Sequence, residues 1–275
     1  MAEDTKPTEP QKGGMFRSLL RALPVAFSIY SKIPMPRFVW GSEDMAYHLI
    51  FFPFVGLVIG ALLLLWQSLS GILSFSDLSF SLAAAAIPLL VTGGFHFDGY
   101  LDTMDALHSY GDREKKLSIM DDPHVGAFAV TFGILWALLY TAALSEAQAF
   151  PLAIRCIAAG FVLSRALSGI GVVTIPSAKT GGMLQMFART AQKRAVLTAL
   201  ILELVLTAAF LVTTAPVTGT TVLVSCLVTF WVYRQTSLRT YQGITGDLAG
   251  FFVTVSELVM ALAAALASAL TKGGS

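Results

Sequence analysis

The chain has 275 residues, of which 55% are hydrophobic and 13% are charged, with a formal net charge of +1 and two cysteines. Soluble domains average about 45–50% apolar and about 25% charged residues, so this composition excludes an ordinary soluble domain and an intrinsically disordered chain. The cysteine count excludes a disulfide scaffold, and the near-neutral charge predicts no nucleic-acid partner. The sequence therefore predicts an all-α, polytopic integral membrane helix bundle in the lipid bilayer.

The N-terminal region is predicted to stay outside the bilayer core. Residues 1–14 are polar and are expected to form a disordered tail, and no cleavable signal peptide follows them. A helix is predicted over residues 15–31, which carry Arg17 and Arg21, and we expect it to lie at the membrane interface. Residues 15–275 are expected to form a single transmembrane catalytic domain, because no internal repeat or change of composition divides them.

Apolar runs of bilayer length predict about seven transmembrane helices. They are placed at residues 49–67, 78–94, 126–146, 152–175, 195–213, 217–233 and 249–270. Fifteen of the eighteen Lys and Arg residues then fall on one side of the membrane, together with the N-terminus. The positive-inside rule assigns this side to the cytoplasm.

The longest polar connection, residues 93–128, carries Asp98, Asp102 and Asp105 at spacings i, i+4 and i+7. On a helix these carboxylates fall within an arc of about 60°, where they repel one another unless a cation lies against them. Mg²⁺ suits a few carboxylates together with substrate phosphates, so the stripe predicts a magnesium site. A solvated acidic surface is the alternative interpretation.

Further residues of this connection are candidates for the same site. Asp121 and Asp122 follow a short basic helix and are expected to fold back towards the stripe. A zinc site formed by His96, His108 and His124 is disfavoured, because their spacing matches no usual ligand set and no cysteine joins them. Each histidine is interpreted as a hydrogen-bonding, phosphate-contacting or interfacial group.

Two glycine-rich segments on the same side of the membrane also carry charge. Lys179 precedes Gly181 and Gly182, a combination that predicts a phosphate cradle, with an ordinary loop as the alternative. Asp247 lies between glycines directly before the last predicted span, where an N-cap role is the local alternative.

Arg165 and Glu257 lie inside predicted spans. Ionisable groups at membrane depth are costly and usually face a partner or a wet cavity. We expect both to line a cavity that opens towards the cytoplasmic face.

Several segments, taken together and in order, resemble the cobalamin synthase family, also called the adenosylcobinamide-GDP ribazoletransferases. The similar segments are SKIPMPRF, FFPFVGLVIG, FHFDGYLDTMDAL, REKKLSIMDDPHVGAFA, the loop from Lys179 to Met183, and GITGDLAG. The likeness runs from about Phe27 to the last predicted span. In one departure, His124 stands where an arginine is common, which weakens the phosphate contact expected there.

The resemblance implies a bacterial inner-membrane enzyme, with its active site facing the cytoplasm, that performs the last step of adenosylcobalamin synthesis. It would join adenosylcobinamide-GDP to α-ribazole or its 5′-phosphate and release GMP with Mg²⁺ as cofactor; a homo-oligomer is left open. Catalysis and metal binding are expected of Asp98, Asp102, Asp105 and Asp122. Substrate contacts are expected of His96, His124, Arg165, Lys179, Gly181, Gly182, Asp247 and Glu257.

Two other functions compete with this interpretation. A membrane transporter would also combine several spans with intramembrane charges, although the acidic residues here cluster at one face. A CDP-alcohol-type phosphotransferase also uses aspartates around an Asp-Gly pair. Its pattern has Ala-Arg after that pair, whereas Tyr100 and Leu101 follow Gly99 here.

Overall fold

The computed structural model describes residues 15–36, 40–41 and 44–273, so the predicted disordered tail at residues 1–14 lies outside the described residues. Within these ranges every regular element is a helix, apart from one isolated parallel bridge between Ser177 and Ile244, which confirms the all-α prediction. The α-helices are α1 (Met15–Tyr30), α2 (Phe52–Ile72), α3 (Asp77–Thr92), α4 (Phe95–His108), α5 (Arg113–Met120), α6 (Ala127–Gln148), α7 (Pro151–Thr174), α8 (Met183–Thr190), α9 (Lys193–Thr214), α10 (Pro216–Thr236) and α11 (Gly246–Gly273).

Among the described residues, six helices are long and apolar enough to cross a membrane, and α3 with α4 forms a seventh candidate that is bent by 97°. The bend falls at Gly93 and Gly94, which both adopt positive φ angles, of 63° and 78°. Glycine takes this left-handed conformation without steric cost, so it ends α3 sharply. We take α3 as the crossing and α4 as lying along one face of the bundle. The predicted polytopic bundle is confirmed.

Helix α7 lies at the centre of the bundle, and 83% of its most apolar 18-residue segment is buried inside the protein. Helix α2 packs closely against it through two glycines. A Cβ at Gly60 would lie 2.5 Å from the carbonyl oxygen of Ala158, and one at Gly56 would overlap the carbonyl oxygen of Phe161. Small residues allow such close backbone contact between membrane helices, and the contact gains dispersion energy.

Helices α4 and α11 are also in close backbone contact where they cross. A Cβ at Gly99 would lie 2.7 Å from the Cα of Asp247, and one at Gly250 would lie 2.9 Å from the carbonyl oxygen of His96. The Oγ1 of Thr254 also donates a hydrogen bond to that carbonyl oxygen, at 3.2 Å. This crossing brings the polar end of α4 against the first turn of α11.

The short helix α5 braces the connections around this crossing through two cationic side chains. The Nζ of Lys116 donates to the carbonyl oxygens of Ala106, Leu107 and Ser109, and so caps the C-terminus of α4. Arg113 donates to the carbonyl oxygens of Tyr241 and Ala178, at 2.8 and 2.6 Å. Arg113 thereby ties α5 to the segments that precede Lys179 and Asp247.

Candidate functional site

The aspartates of α4 share one helix, as predicted, but they lie in different environments. Asp98 is exposed, Asp102 is half-buried and Asp105 is buried. Partial burial, followed by the negative charges of Asp98, Asp247 and Asp105, raises the pKa of Asp102 to about 7. Negative charge is therefore in excess around Asp102, and a cation bound nearby would relieve it.

Asp105 differs from the other two because both of its carboxylate oxygens accept backbone hydrogen bonds. Its Oδ2 accepts from the Gly126 amide at 2.7 Å, and its Oδ1 accepts from the Ala129 amide at 2.9 Å. A Cβ at Gly126 would lie 2.5 Å from the Asp105 Oδ1, so only glycine leaves room for this arrangement. Asp105 thus caps the N-terminus of α6 from another helix.

A cavity of about 280 Å³, called here the Lys179 cavity, lies beside the crossing of α4 and α11. Its charged lining comes from four separate segments: Asp98 on α4, Asp121 after α5, Lys179 before α8, and Asp247 on α11. The Nζ of Lys179 lies 2.7 Å from the Asp121 Oδ1. The fold therefore brings together one cation and three carboxylates that are far apart in sequence.

The loop that carries Lys179 is held in place on both sides. The parallel bridge between Ser177 and Ile244 pairs it with the segment before α11, and Arg113 donates to the Ala178 carbonyl oxygen. Gly181 and Gly182 border the cavity with positive φ angles of 96° and 83°. These angles favour glycine, and a Cβ at either position would meet only open space. The arrangement agrees with the predicted cradle.

The N-cap alternative for Asp247 is not what the structure contains. The Thr245 Oγ1 accepts the Leu248 amide hydrogen bond at 3.2 Å, so Thr245 caps α11. Thr245 also donates to the Asp247 Oδ2 at 3.3 Å. Asp247 is then free of the capping role and borders the Lys179 cavity.

The two aspartates after α5, both of which were expected to fold back towards the stripe, lie in different surroundings. Asp122 is exposed and accepts from the backbone amide of His124 at 2.9 Å and from its Nδ1 at 2.7 Å. These hydrogen bonds to His124, the backbone bond first, lower the pKa of Asp122. Asp121 is the one that borders the cavity, whereas the resemblance implied Asp122 for the metal site. The pairing of Asp121 with Lys179 involves a distant loop, so no local pattern could have distinguished Asp121 from Asp122.

Arg165 and Glu257 form an ion pair inside the bundle, with the Arg165 Nη1 2.8 Å from the Glu257 Oε1. Their side chains are only 1% and 5% exposed. Each of the two therefore has the other as its partner. Neither is among the described residues that line the Lys179 cavity, so the expectation that both line a cavity open to the cytoplasmic face stays a prediction. Their predicted contact with substrate stays a prediction.

His96 and a second cavity complete the site. His96 is buried and borders the Lys179 cavity.

A second cavity, of about 520 Å³, is called here the Lys32 cavity. It is bordered by Lys32, Thr92 and Gly94, and it shares Phe95 and Asp98 with the Lys179 cavity. Asp98 therefore borders two spaces, as a residue that acts between two substrates would.

Among the residues that the structure describes, no three His, Cys, Asp or Glu side chains gather closely enough to hold a metal ion by themselves. The carboxylates of the Lys179 cavity nevertheless offer the oxygen ligands that Mg²⁺ prefers, and Mg²⁺ commonly takes only one or two carboxylates together with substrate phosphates. The donor set therefore fits an ion that is completed by substrate.

Residues 22–265 match the family described as cobalamin-5-phosphate synthase. An adenosylcobinamide-GDP ribazoletransferase from Lachnoclostridium phytofermentans is 38% identical over 90% of this chain and 94% of its own length. A protein of the same name from Pseudomonas savastanoi is 35% identical over 89% of this chain and 97% of its own. Another, from Clostridium botulinum, is 28% identical over 91% and 99%. No solved structure matches the chain.

Proposed function

This chain belongs to the cobalamin-5-phosphate synthase family and is an adenosylcobinamide-GDP ribazoletransferase of the final step of B12 synthesis, and we propose that the Lys179 cavity is its catalytic site. The observation that carries the proposal is the meeting of Asp98, Lys179 and Asp247, from three distant segments, at one cavity. Relatives that match along nearly the whole chain are ribazoletransferases, which leaves the transporter and CDP-alcohol alternatives without support.

We propose that Asp98 and Asp247, which border the Lys179 cavity, would hold Mg²⁺ together with the substrate phosphates. Asp102 lies on the same stripe as Asp98 but does not border the cavity, so its role as a ligand stays a prediction. The bound ion would supply neutralisation of the charge that develops on the phosphate oxygens during transfer. Asp105 and Asp122, which the sequence also suggested as ligands, are not assigned to this set. Both oxygens of Asp105 cap α6, and Asp122 is paired with His124.

The chain's own residues account for the remaining chemistry. Asp98 borders both cavities, so it is placed to accept the proton of a ribazole hydroxyl. The deprotonated oxygen forms a bond to the phosphorus of the phosphate that is attached to cobinamide. The bond from that phosphorus to the oxygen of GMP breaks, and GMP departs. Lys179 donates hydrogen bonds to the phosphates in place of its contact with Asp121. Gly181 and Gly182 let the loop backbone approach them closely.

Replacement of Lys179 tests this site. Lys179→Met is expected to lower kcat/KM for GMP release by about 10²-fold, because a charged donor to the reacting phosphates is lost. The measurement is GMP release by purified protein in detergent from adenosylcobinamide-GDP and α-ribazole, with and without EDTA. EDTA should abolish release and excess Mg²⁺ should restore it. Lys193→Met, at an exposed lysine at the start of α9, is the matched control; equal rates for both variants would contradict the proposal.

We further propose that residues 15–275 form a single catalytic domain in the bacterial cytoplasmic membrane, with the N-terminus and the Lys179 cavity on the cytoplasmic side. Both native cysteines are free and buried, so introduced cysteines can report the orientation. A membrane-impermeant maleimide added to spheroplasts should label Leu73→Cys, between α2 and α3, and leave Tyr110→Cys, between α4 and α5, unlabelled until lysis. Both positions are exposed in the fold. The reverse labelling would overturn the orientation.

A further inference from the structure

His96 is a buried side chain whose hydrogen bonds are missing. The residue is 6% exposed, and neither of its ring nitrogens has a hydrogen-bond partner among the described residues. Buried polar groups in folded proteins are nearly always paired, and each exception calls for an explanation. Since His96 borders the Lys179 cavity, a molecule in that cavity can supply the missing partner.

A second buried histidine shows what a purely structural role looks like in the same region. The Nδ1 of His48 lies 2.6 Å from the Met45 carbonyl oxygen, and its Nε2 lies 3.2 Å from the Tyr30 hydroxyl. His48 thus has both nitrogens paired within the protein. The part of the protein that the structure describes thus supplies hydrogen-bond partners for both ring nitrogens of His48 but for neither nitrogen of His96, which borders the cavity.

The walls around His96 are aromatic. His96 contacts the rings of Phe52 and Phe95, with centroids 5.4 and 5.3 Å away. The Tyr30 ring is tilted by only 14° from the His96 ring, with centroids 6.4 Å apart. Phe187 packs edge-on against Tyr30. We call Tyr30, Phe52, Phe95, His96 and Phe187 the aromatic cluster; all five border the Lys179 cavity.

We propose that the aromatic cluster binds the flat nitrogen heterocycle of one of the two nucleosidic substrates, with a ring nitrogen of His96 hydrogen-bonded to that base. The proposal rests on the proposed function and names a subsite within it. Aromatic rings stack on planar bases whatever the identity of the base, and the unpaired nitrogens of His96 supply a directional contact. The phosphates then lie towards Lys179, on the charged part of the same cavity.

The imidazole of His96 suits this role, because it can offer one ring nitrogen as a donor and the other as an acceptor to the hydrogen-bonding edge of a base.

Two substrates carry a base, the guanine of adenosylcobinamide-GDP and the base of α-ribazole, and steady-state kinetics can tell them apart. Each substrate is varied at saturation of the other, with the full-length protein in detergent. His96→Phe, which keeps the ring and removes both nitrogens, is expected to raise KM for one substrate about 10-fold or more and to leave the other KM unchanged. The affected substrate identifies the base. His96→Gln keeps a donor and an acceptor and should recover most of the loss.

The control is His108→Gln, because His108 is an exposed histidine on the same helix and its Nδ1 already faces the Met104 carbonyl oxygen. Unchanged KM values for both substrates in His96→Phe would overturn the proposal, as would a loss of kcat alone. If His96→Phe does not fold, Phe95→Leu, at an exposed wall of the cluster, replaces it with the same expectations. Failure of the proposed catalytic site would appear separately, as an undiminished rate for Lys179→Met.

Discussion

Asp98→Asn is expected to lower the turnover number for GMP release by about 10²–10⁴-fold, the range over which a positioned general base contributes. Asp98 is exposed, borders both the Lys179 and the Lys32 cavities, and is proposed to accept the ribazole proton. Asparagine keeps the shape of the side chain but neither accepts that proton nor carries the charge that holds Mg²⁺. The measurement is the rate of GMP release at saturating substrates and Mg²⁺.

Asp105→Asn is the matched comparison on the same helix. Because both Asp105 oxygens cap α6, loss of one acceptor should lower the melting temperature, whereas Asp98→Asn should leave it unchanged. Loss of an N-cap typically costs about 0.5–2 kcal/mol. Two outcomes would contradict the assignment: wild-type turnover for Asp98→Asn, or an Asp105→Asn protein that melts normally but no longer responds to Mg²⁺.

Glu257→Gln is expected to destabilise the protein by about 3–5 kcal/mol, because it leaves the Arg165 charge buried without a counter-charge. The two side chains are 1% and 5% exposed and lie 2.8 Å apart in the centre of the bundle. The free energy of unfolding can be measured by denaturation with SDS in mixed micelles, followed by tryptophan fluorescence. Arg155→Met removes an exposed arginine from the same helix and should have little effect.

A double replacement separates a structural role of this pair from contact with substrate. Arg165→Met combined with Glu257→Leu removes both charges, and such apolar replacements often recover the stability that a single replacement loses. If the pair is structural, the double variant should regain both stability and GMP release. Recovered stability without GMP release would instead support the substrate contact that the sequence indicated for Arg165 and Glu257.

The helices could be predicted from sequence because bilayer-length apolar runs and polar interruptions are local features. The span expected at 152–175 is Pro151–Thr174 in the structure, and the one expected at 195–213 is Lys193–Thr214. The sharp bend after α3 depends on two left-handed glycines, and the Gly-Gly pair alone did not reveal its angle.

The site was only partly predictable, because its details depend on contacts between distant segments. The stripe on α4 was found, but the capping of α6 by Asp105 requires the position of a helix some twenty residues away. Similarly, Asp121 rather than Asp122 borders the cavity because Lys179 pairs with it. The aromatic cluster was missed, since its rings come from four elements whose apolar residues resemble any membrane core.

The close crossing of α4 and α11 makes assembly of the site depend on both helices. Gly99 packs on Asp247 and Gly250 packs on His96, so residues of two helices that are far apart in sequence form one wall of the cavity. A chain in which α4 has inserted but α11 has not yet packed against it lacks this wall. The site therefore forms only when both helices are in the membrane and in contact.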